Sequence, residues 1–162
     1  MKFTSLLIGL CFSQALISSV QAQEWKPVPG KIASPWAEKE NPPSPLPEYP
    51  RPQLVRSKNW KNLNGLWSYA LTPKDAAEPK AYNGKILVPF AIESSLSGVG
   101  KTVGKDSLLW YKTSFTIPSN LKNNILLHFG AVDWKSDIWL NGKKVGTHEG
   151  GFDPFTFVIT PF

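Results

Sequence analysis

From residue 59 onward, the apolar residues of the chain occur in short segments that alternate with turn-forming residues. The segments are four to ten residues long, rich in aromatic and β-branched residues, and bounded by Gly, Pro or Asn. In GLWSYAL (65–71), successive side chains fall on opposite faces, as they do in a β-strand. The same reasoning predicts strands in KILVPF (85–90), LLWYKTSFTI (108–117), NILLHFG (124–130), SDIWL (136–140) and FTFVI (155–159).

No window of the chain has a sustained helical period, so the pattern predicts an all-β protein. Several short strands joined by turns, with no helices between them, favour an antiparallel β-sandwich or jelly roll. The length of 162 residues corresponds to one domain.

The dipeptide Asn141-Gly142, between two strand-like segments, is a strong hairpin signal because both residues tolerate the positive φ that a tight turn requires. Such a turn predicts three cross-strand pairs: Leu140 with Lys143, Trp139 with Lys144 and Ile138 with Val145. Ile138 and Val145 would then face the core, and Trp139 and Lys144 would share the outer face.

The N-terminus has the order of a secretory signal peptide: a charged residue, Lys2, an apolar run over 6–20, and small residues before a cleavage site after Ala22. We therefore expect residues 1–22 to be removed and the protein to be exported, to the periplasm or the medium. Cys11 lies in the removed part, so the mature chain of 140 residues has no cysteine. An exported chain without disulfides depends on its core for stability.

A leader rich in proline, residues 23–58, separates the signal peptide from the strands. Nine of the fifteen prolines fall within 23–52, a density that excludes helix and central strand and favours extended chain. The leader is either a flexible linker or an extended strap on the surface of a larger protein. Trp25, Trp36 and Tyr49 favour the strap, because disordered linkers are poor in aromatic residues.

The charge balance is basic but dispersed. Removing Lys2 from the 18 basic residues leaves 17 against 12 acidic residues, so the mature net charge is +5. The longest basic run is Lys143-Lys144, and no nucleic-acid-binding motif is present. We therefore expect a basic soluble surface, with neither a nucleic acid nor, after signal cleavage, a membrane as partner.

Two pairs of acidic residues are close enough in sequence to be tested as catalytic pairs. A retaining glycosidase needs two carboxyl groups about 5–5.5 Å apart. On a strand, Asp133 and Asp137 would lie roughly 13 Å apart, which is too far. Glu149 and Asp153 are better explained as a solvated or salt-bridged group and a turn residue. No catalytic residue is predicted in this chain.

The two histidines of the chain do not form a metal-binding pattern. His128 is expected to be a satisfied core or interface residue, and His148 could pair with its neighbour Glu149. Neither has a second ligand at a suitable spacing, so we predict no metal and no cofactor.

Four segments together resemble the N-terminal sugar-binding domain of glycoside hydrolase family 2: NWKNLNGLWSY, ILVPFAIESSLSGVG, LWYKTSFTIP and ILLHFGAVDWKSDIWLNGKKVGTHEGGFDPFTFVITPF. The resemblance covers residues 31–162 and places the domain at 59–162. It implies a jelly-roll sandwich of the galactose-binding type. In the family, an immunoglobulin-like domain and a catalytic (β/α)₈ barrel follow, and a barrel alone needs about 250 residues. We therefore expect a domain that lacks its last strand or strands and is inactive by itself.

Sugar binding requires aromatic platforms and planar polar groups. The candidate platforms are Trp110, Tyr111, Trp134 and Trp139, of which at least two are expected in the core. By resemblance, the loop after VPF approaches the pocket of the barrel, so Glu93 and Ser94 are expected to contact either sugar or barrel. The predicted substrate-binding residues are Glu93, Ser94, Trp110 and Trp139.

The function implied by the resemblance is that of a secreted, retaining glycosidase that acts on β-galactosides or similar carbohydrates. The domain would brace the downstream barrel and form one wall of its cleft. Two alternatives remain open: a stand-alone carbohydrate-binding module without hydrolase activity, and an interaction domain that has lost sugar contact.

Overall fold

In a computed structural model, residues 25–47, 59–121 and 124–162 are described. They form seven strands: β1 Gly65–Pro73, β2 Gly84–Val88, β3 Ser107–Lys112, β4 Leu126–Phe129, β5 Lys135–Leu140, β6 Lys143–Glu149 and β7 Phe155–Val158. A single turn of 3₁₀ helix, Ala37–Lys39, interrupts the leader, where the sequence predicts extended chain. Within these three ranges, no helix has the length and apolarity to cross a membrane. The signal peptide lies outside the described residues.

All strand pairs are antiparallel, which confirms the predicted fold class. The strands form a three-stranded sheet in the order β2-β1-β3 and two strand pairs, β4-β7 and β5-β6. The six strands expected from the sequence and the second strand of the hairpin all occur. β3, however, ends at Lys112 rather than at residue 117, because its pairing with β1 ends where Lys112 faces Ser68.

One hydrophobic cluster lies on the face of the three-stranded sheet that carries Tyr69. Tyr69, Ile86 and Ile92 are buried together, and partly buried apolar side chains pack around them: Trp67, Leu71, Val99, Val103 and Leu109. Complete burial of an aliphatic side chain such as Ile86 contributes about 1.5–3 kcal/mol. Because side chains alternate along β1, Trp67, Tyr69 and Leu71 all point to the face that carries this cluster.

The β5–β6 hairpin has the predicted turn but not the complete predicted register. Asn141 and Gly142 have φ values of 50° and 77°, and Trp139 pairs with Lys144 as expected. The predicted pair of Ile138 with Val145 is wrong, because a β-bulge shifts the register and Ile138 faces Gly146. The extra residue in β6 places a glycine where the Phe157 ring of β7 approaches the strand.

An aromatic cluster joins the β5–β6 hairpin to the β4–β7 pair. The Phe155 ring stacks on Phe129 and on His148, with centroid separations of 4.8 Å and 4.0 Å. Phe157 meets Phe155 edge-on, at 5.8 Å, and also packs against Gly146. The two strand pairs therefore depend on one set of contacts around Phe155.

Part of the leader is attached to the domain. The Trp25 indole and the backbone of Val28 form hydrogen bonds to the loop that follows β2. Asn64 Nδ2 donates to Pro45 O at 3.3 Å, and Pro45 is completely buried. These contacts favour the strap over the flexible linker. Trp36, in contrast, is 67% exposed, and Tyr49 lies outside the described residues.

Candidate functional site

The loop over residues 91–100, between β2 and β3, is organised around a buried serine. The Ser97 hydroxyl lies 3.0 Å from Ile92 O and 2.8 Å from Ser94 O, and it accepts from the N–H groups of Val99 and Gly100. A hydroxyl has one proton, so it donates to one carbonyl at a time. Because Ser97 is completely buried, loss of these bonds would leave buried polar groups without partners.

The two residues predicted from the family resemblance, Glu93 and Ser94, lie on this loop. Ser94 is half-buried, and its hydroxyl accepts from the Ser97 N–H at 3.2 Å, so it stabilises the loop. Glu93 is exposed, and its backbone carbonyl accepts from Lys31 Nζ at 2.9 Å. Among the described residues, the Glu93 carboxylate has no ion pair or hydrogen bond, which leaves it available for a ligand.

Tyr111 of β3 lies within electrostatic reach of Glu93. The pKa of Tyr111 is raised to about 12, mainly because the phenol is partly buried and to a smaller extent because of the negative charge of Glu93. Tyr111 faces Tyr69 in the β1–β3 register, and Lys101 Nζ lies 5.9 Å from the centroid of the Tyr69 ring. The loop and the sheet therefore bring the Glu93 carboxylate and the partly exposed Tyr111 phenol into electrostatic reach of each other, whereas Tyr69 is buried in the core. A carboxylate and a phenol can bind sugar hydroxyls through hydrogen bonds.

The titration of Tyr111 tests this arrangement. Since its pKa is raised above the usual value of 10, Tyr111 contributes stability that is present below pH 10 and is lost as the pH rises through about 12. We expect a tyrosinate absorbance step near pH 12 that disappears in Tyr111→Phe. Glu93→Gln should lower that pKa only in part, because burial is the larger cause. A Tyr111 pKa of 10 in the unmodified protein would contradict the geometry.

Trp110 belongs to the opposite face of the sheet. Its indole N–H donates to Thr72 Oγ1 at 2.8 Å, and its ring is half-buried. Neighbouring residues of a strand point to opposite faces, so Trp110 and Tyr111 cannot line one site. The structure therefore does not bring Trp110 together with the Glu93 site.

Trp139 lies on the outer face of the β5–β6 hairpin and is 56% exposed. Beside it, Asp137 accepts from Thr147 Oγ1 at 2.5 Å and pairs with Lys144 at 2.8 Å. The hydrogen bonds from Lys144 and Thr147 lower the pKa of Asp137. The ring of Trp139 is an accessible platform, but its neighbours are these ion-paired groups rather than Glu93 or Ser94.

The expectation that at least two of the four candidate platforms pack in the core is wrong. Trp134 and Tyr111 are 63% and 40% exposed, and Trp110 is only half-buried. The core of the three-stranded sheet is formed by aliphatic residues and Tyr69 instead. All four rings therefore retain some accessible surface, although they occupy different parts of the molecule.

The acidic residues near the hairpin make local contacts. Glu149 forms an ion pair with Lys135, as the salt-bridged interpretation predicts. The predicted pairing of His148 with Glu149 is wrong, because neighbouring residues of β6 point to opposite faces. His148 Nε2 instead lies 3.3 Å from Asp153 Oδ2, at an angle that makes no hydrogen bond.

His128 is satisfied, as expected, but it is exposed rather than part of the core. Its Nδ1 atom lies 2.8 Å from Thr156 Oγ1, and its ring stacks on Trp60 at 5.5 Å. In the ranges that the structure describes, no group of three or more His, Cys, Asp or Glu residues could hold a metal ion.

An open groove of about 980 Å³ lies between the leader, the beginning of β1 and the residues after β3. Its walls include the side chains of Trp25 and Trp67, and Lys61 Nζ crosses to Thr116 O at 3.0 Å. The groove was not predicted from the sequence, because it forms where the residues after Lys112 separate from β1 and the pairing of β3 with β1 ends. None of the four predicted binding residues lines it.

Comparison with known proteins assigns the domain. Residues 64–162 match the family described as glycosyl hydrolase 2 galactose-binding domain-like. The chain belongs to this family. The match confirms the resemblance found in the sequence, and the antiparallel strands agree with the sandwich of galactose-binding-like domains.

Several curated relatives align with this galactose-binding-like domain. A Beta-glucuronidase of Paenibacillus borealis is 25% identical over 119 residues, which cover 69% of this chain and 20% of the relative. A Beta-glucuronidase of Felis catus is 28% identical over 123 residues, which cover 66% of this chain and 19% of the relative. A Beta-galactosidase of Thermoanaerobacter pseudethanolicus is 35% identical over 54 residues, which cover 33% of this chain and 7% of the relative. The chain spans about a fifth of the length of the relatives that align over most of it.

Proposed function

We propose that this chain is the N-terminal sugar-binding domain of an exported glycoside hydrolase that cleaves β-linked sugars. The observation that carries the proposal is the family match over residues 64–162. The aligned part makes up only about a fifth of the relatives that match most of the chain, which fits a catalytic barrel and an immunoglobulin-like domain elsewhere in the same protein. The signal-like residues 1–22 support export.

In this proposal, the domain contributes one wall of the substrate cleft rather than the catalytic groups. Among the residues that the structure describes, the Glu93 carboxylate has no ion pair or hydrogen bond, and Tyr111 presents a phenol whose pKa is raised to about 12. A carboxylate accepts hydrogen bonds from sugar hydroxyls, and a neutral phenol can donate one. The catalytic carboxyl pair of a retaining enzyme would come from the barrel.

The substrate class is a β-glycoside, with β-glucuronides and β-galactosides as the first two candidates. The relatives that align over about two thirds of this chain are named Beta-glucuronidase, which favours β-glucuronides as the substrate to test first. β-Galactosides, which the sequence resemblance suggested, remain the second.

Hydrolysis of chromogenic β-glucuronide and β-galactoside by the complete protein, purified from its own source, tests the proposal. We expect release of the chromophore from one of the two, and no release by residues 23–162 alone. Glu93→Gln in the complete protein should raise KM, with Glu38→Gln in the leader as a control. Absence of hydrolysis of either glycoside, by a protein that is folded, would refute the proposal.

A stand-alone carbohydrate-binding module is the second candidate function. The groove beside Trp25 and Trp67, together with the exposed Trp139, offers aromatic surface for a glycan. Titration of residues 23–162 with oligosaccharides by calorimetry distinguishes it from the first. Binding without hydrolysis by the complete native protein would favour the module.

A further inference from the structure

Within the leader, residues 25–31 lie across the outer side of the 91–100 loop. From here on, the strap means these seven residues alone. The Val28 N–H donates to Ser95 O at 3.0 Å, and the Ser95 hydroxyl donates back to Val28 O at 2.8 Å. Ser95 is 4% exposed, so this reciprocal pair is shielded from water. Hydrogen bonds of this kind join parts of the chain that are 67 residues apart.

Trp25 provides the second attachment. Its indole N–H donates to Leu96 O at 3.1 Å. The ring also covers Gly98, where an added Cβ would lie 2.8 Å from Trp25 Cδ1. Gly100 is covered in the same way, because a Cβ there would lie 3.0 Å from Val28 Cγ1. The absence of side chains at these two glycines allows the strap to lie directly on the loop backbone.

Lys31 provides the third attachment of the strap, and this one is made to Glu93. Its Nζ donates to the backbone carbonyl of Glu93 at 2.9 Å. The loop is thus held from inside by the Ser97 hydroxyl and from outside by the strap. The Ser97 hydroxyl contacts the carbonyls of Ile92 and Ser94, on either side of Glu93, and Lys31 holds the Glu93 carbonyl from outside.

We propose that the strap positions the 91–100 loop and thereby sets the position of the Glu93 carboxylate relative to the sheet. Trp25 is then a positioning residue that touches no substrate atom at the Glu93 site. The consequence for catalysis rests on the proposed function. Because a misplacement of 1 Å can change a rate by about a hundredfold, a strap of seven residues can influence substrate binding from outside the cleft.

The test is Trp25→Ala in the complete protein, with Trp36→Ala as the matched control. Trp36 belongs to the same leader but is 67% exposed. For Trp25→Ala we expect faster amide exchange across the 91–100 loop, a Tyr111 titration that moves toward pH 10, and a KM for the glycoside raised at least about fivefold with a smaller change in kcat. Trp36→Ala should leave all three unchanged.

A conservative variant, Trp25→Phe, distinguishes a specific effect of the indole from a general folding defect. Trp25→Phe keeps a ring over Gly98 but loses the bond to Leu96 O, so we expect an intermediate effect on loop exchange and on KM. Unchanged loop exchange and unchanged Tyr111 titration in Trp25→Ala would overturn the proposal. A loosened loop with an unchanged KM would also overturn it.

The same measurements separate this proposal from the proposed function. If the complete protein hydrolyses no β-glycoside, the proposed function fails. The exchange rates and the Tyr111 titration then decide by themselves whether the strap positions the loop.

Discussion

Gly146→Ala is expected to destabilise the protein by about 2–3 kcal/mol, as overpacking of a close contact does. A Cβ at this position would lie 2.9 Å from Cζ of Phe157 and nearer still to Cε1. Phe157 cannot simply move away, because it packs edge-on against Phe155. Phe155 in turn stacks on Phe129 and His148, so a displaced ring disturbs the contact between the two strand pairs.

Urea unfolding of the complete protein, monitored by a probe in this domain, measures that effect. Gly104→Ala is the matched control, because a Cβ there meets only Ser107 Oγ, at 3.9 Å. We expect the control to change the free energy of unfolding by no more than about 0.5 kcal/mol. Equal stabilities of the two variants would show that β6 does not pack on Phe157 as described.

Gly98→Ala is expected to have the second large effect, and it acts on the strap. Gly98 has φ +75°, which alone disfavours alanine by about 1–2 kcal/mol. The added methyl group would also lie 2.8 Å from Trp25 Cδ1 and force the indole off the loop. We therefore expect a loss of stability of about 2–3 kcal/mol, since the strain and the lost packing of Trp25 add.

Gly142→Ala separates the two causes. Its φ of +77° is nearly the same, but no atom lies within 4 Å of an added Cβ. We expect this control to show the backbone strain alone. The indole N–H resonance of Trp25, assigned by its loss in Trp25→Phe, should shift in Gly98→Ala and not in Gly142→Ala. Equal stability losses in both variants, with an unmoved resonance, would mean that Trp25 does not rest on Gly98.

Local signals in the sequence predict the elements of this fold well. The alternation in GLWSYAL and the Asn141-Gly142 turn depend on residues close together in the chain, and both interpretations are confirmed. The end of β3 and the bulge opposite Ile138 depend on where strands separate or take up an extra residue. A period of two along one strand contains no information on those events.

The candidate site was predictable only in part, for a related reason. Glu93 and Ser94 came from the family resemblance, whereas Tyr111 is 18 positions away from Glu93 and becomes its neighbour only through the fold. The pairing of Tyr111 with Tyr69 follows from the register of β3 against β1, which the sequence alone does not contain. The attachment of the strap to Ser95 has no comparable signal, because hydrogen bonds to backbone atoms leave no residue pattern.

The intact mass of the native exported protein, measured after purification from its own source, tests most directly whether this domain is one wall of a larger β-glycosidase. If it is, we expect a mass several times that of residues 23–162, with peptides of this domain at the N-terminus of the protein. A mass equal to that of residues 23–162 would contradict this assignment. The groove beside Trp25 and Trp67 would then be the place to look for glycan binding.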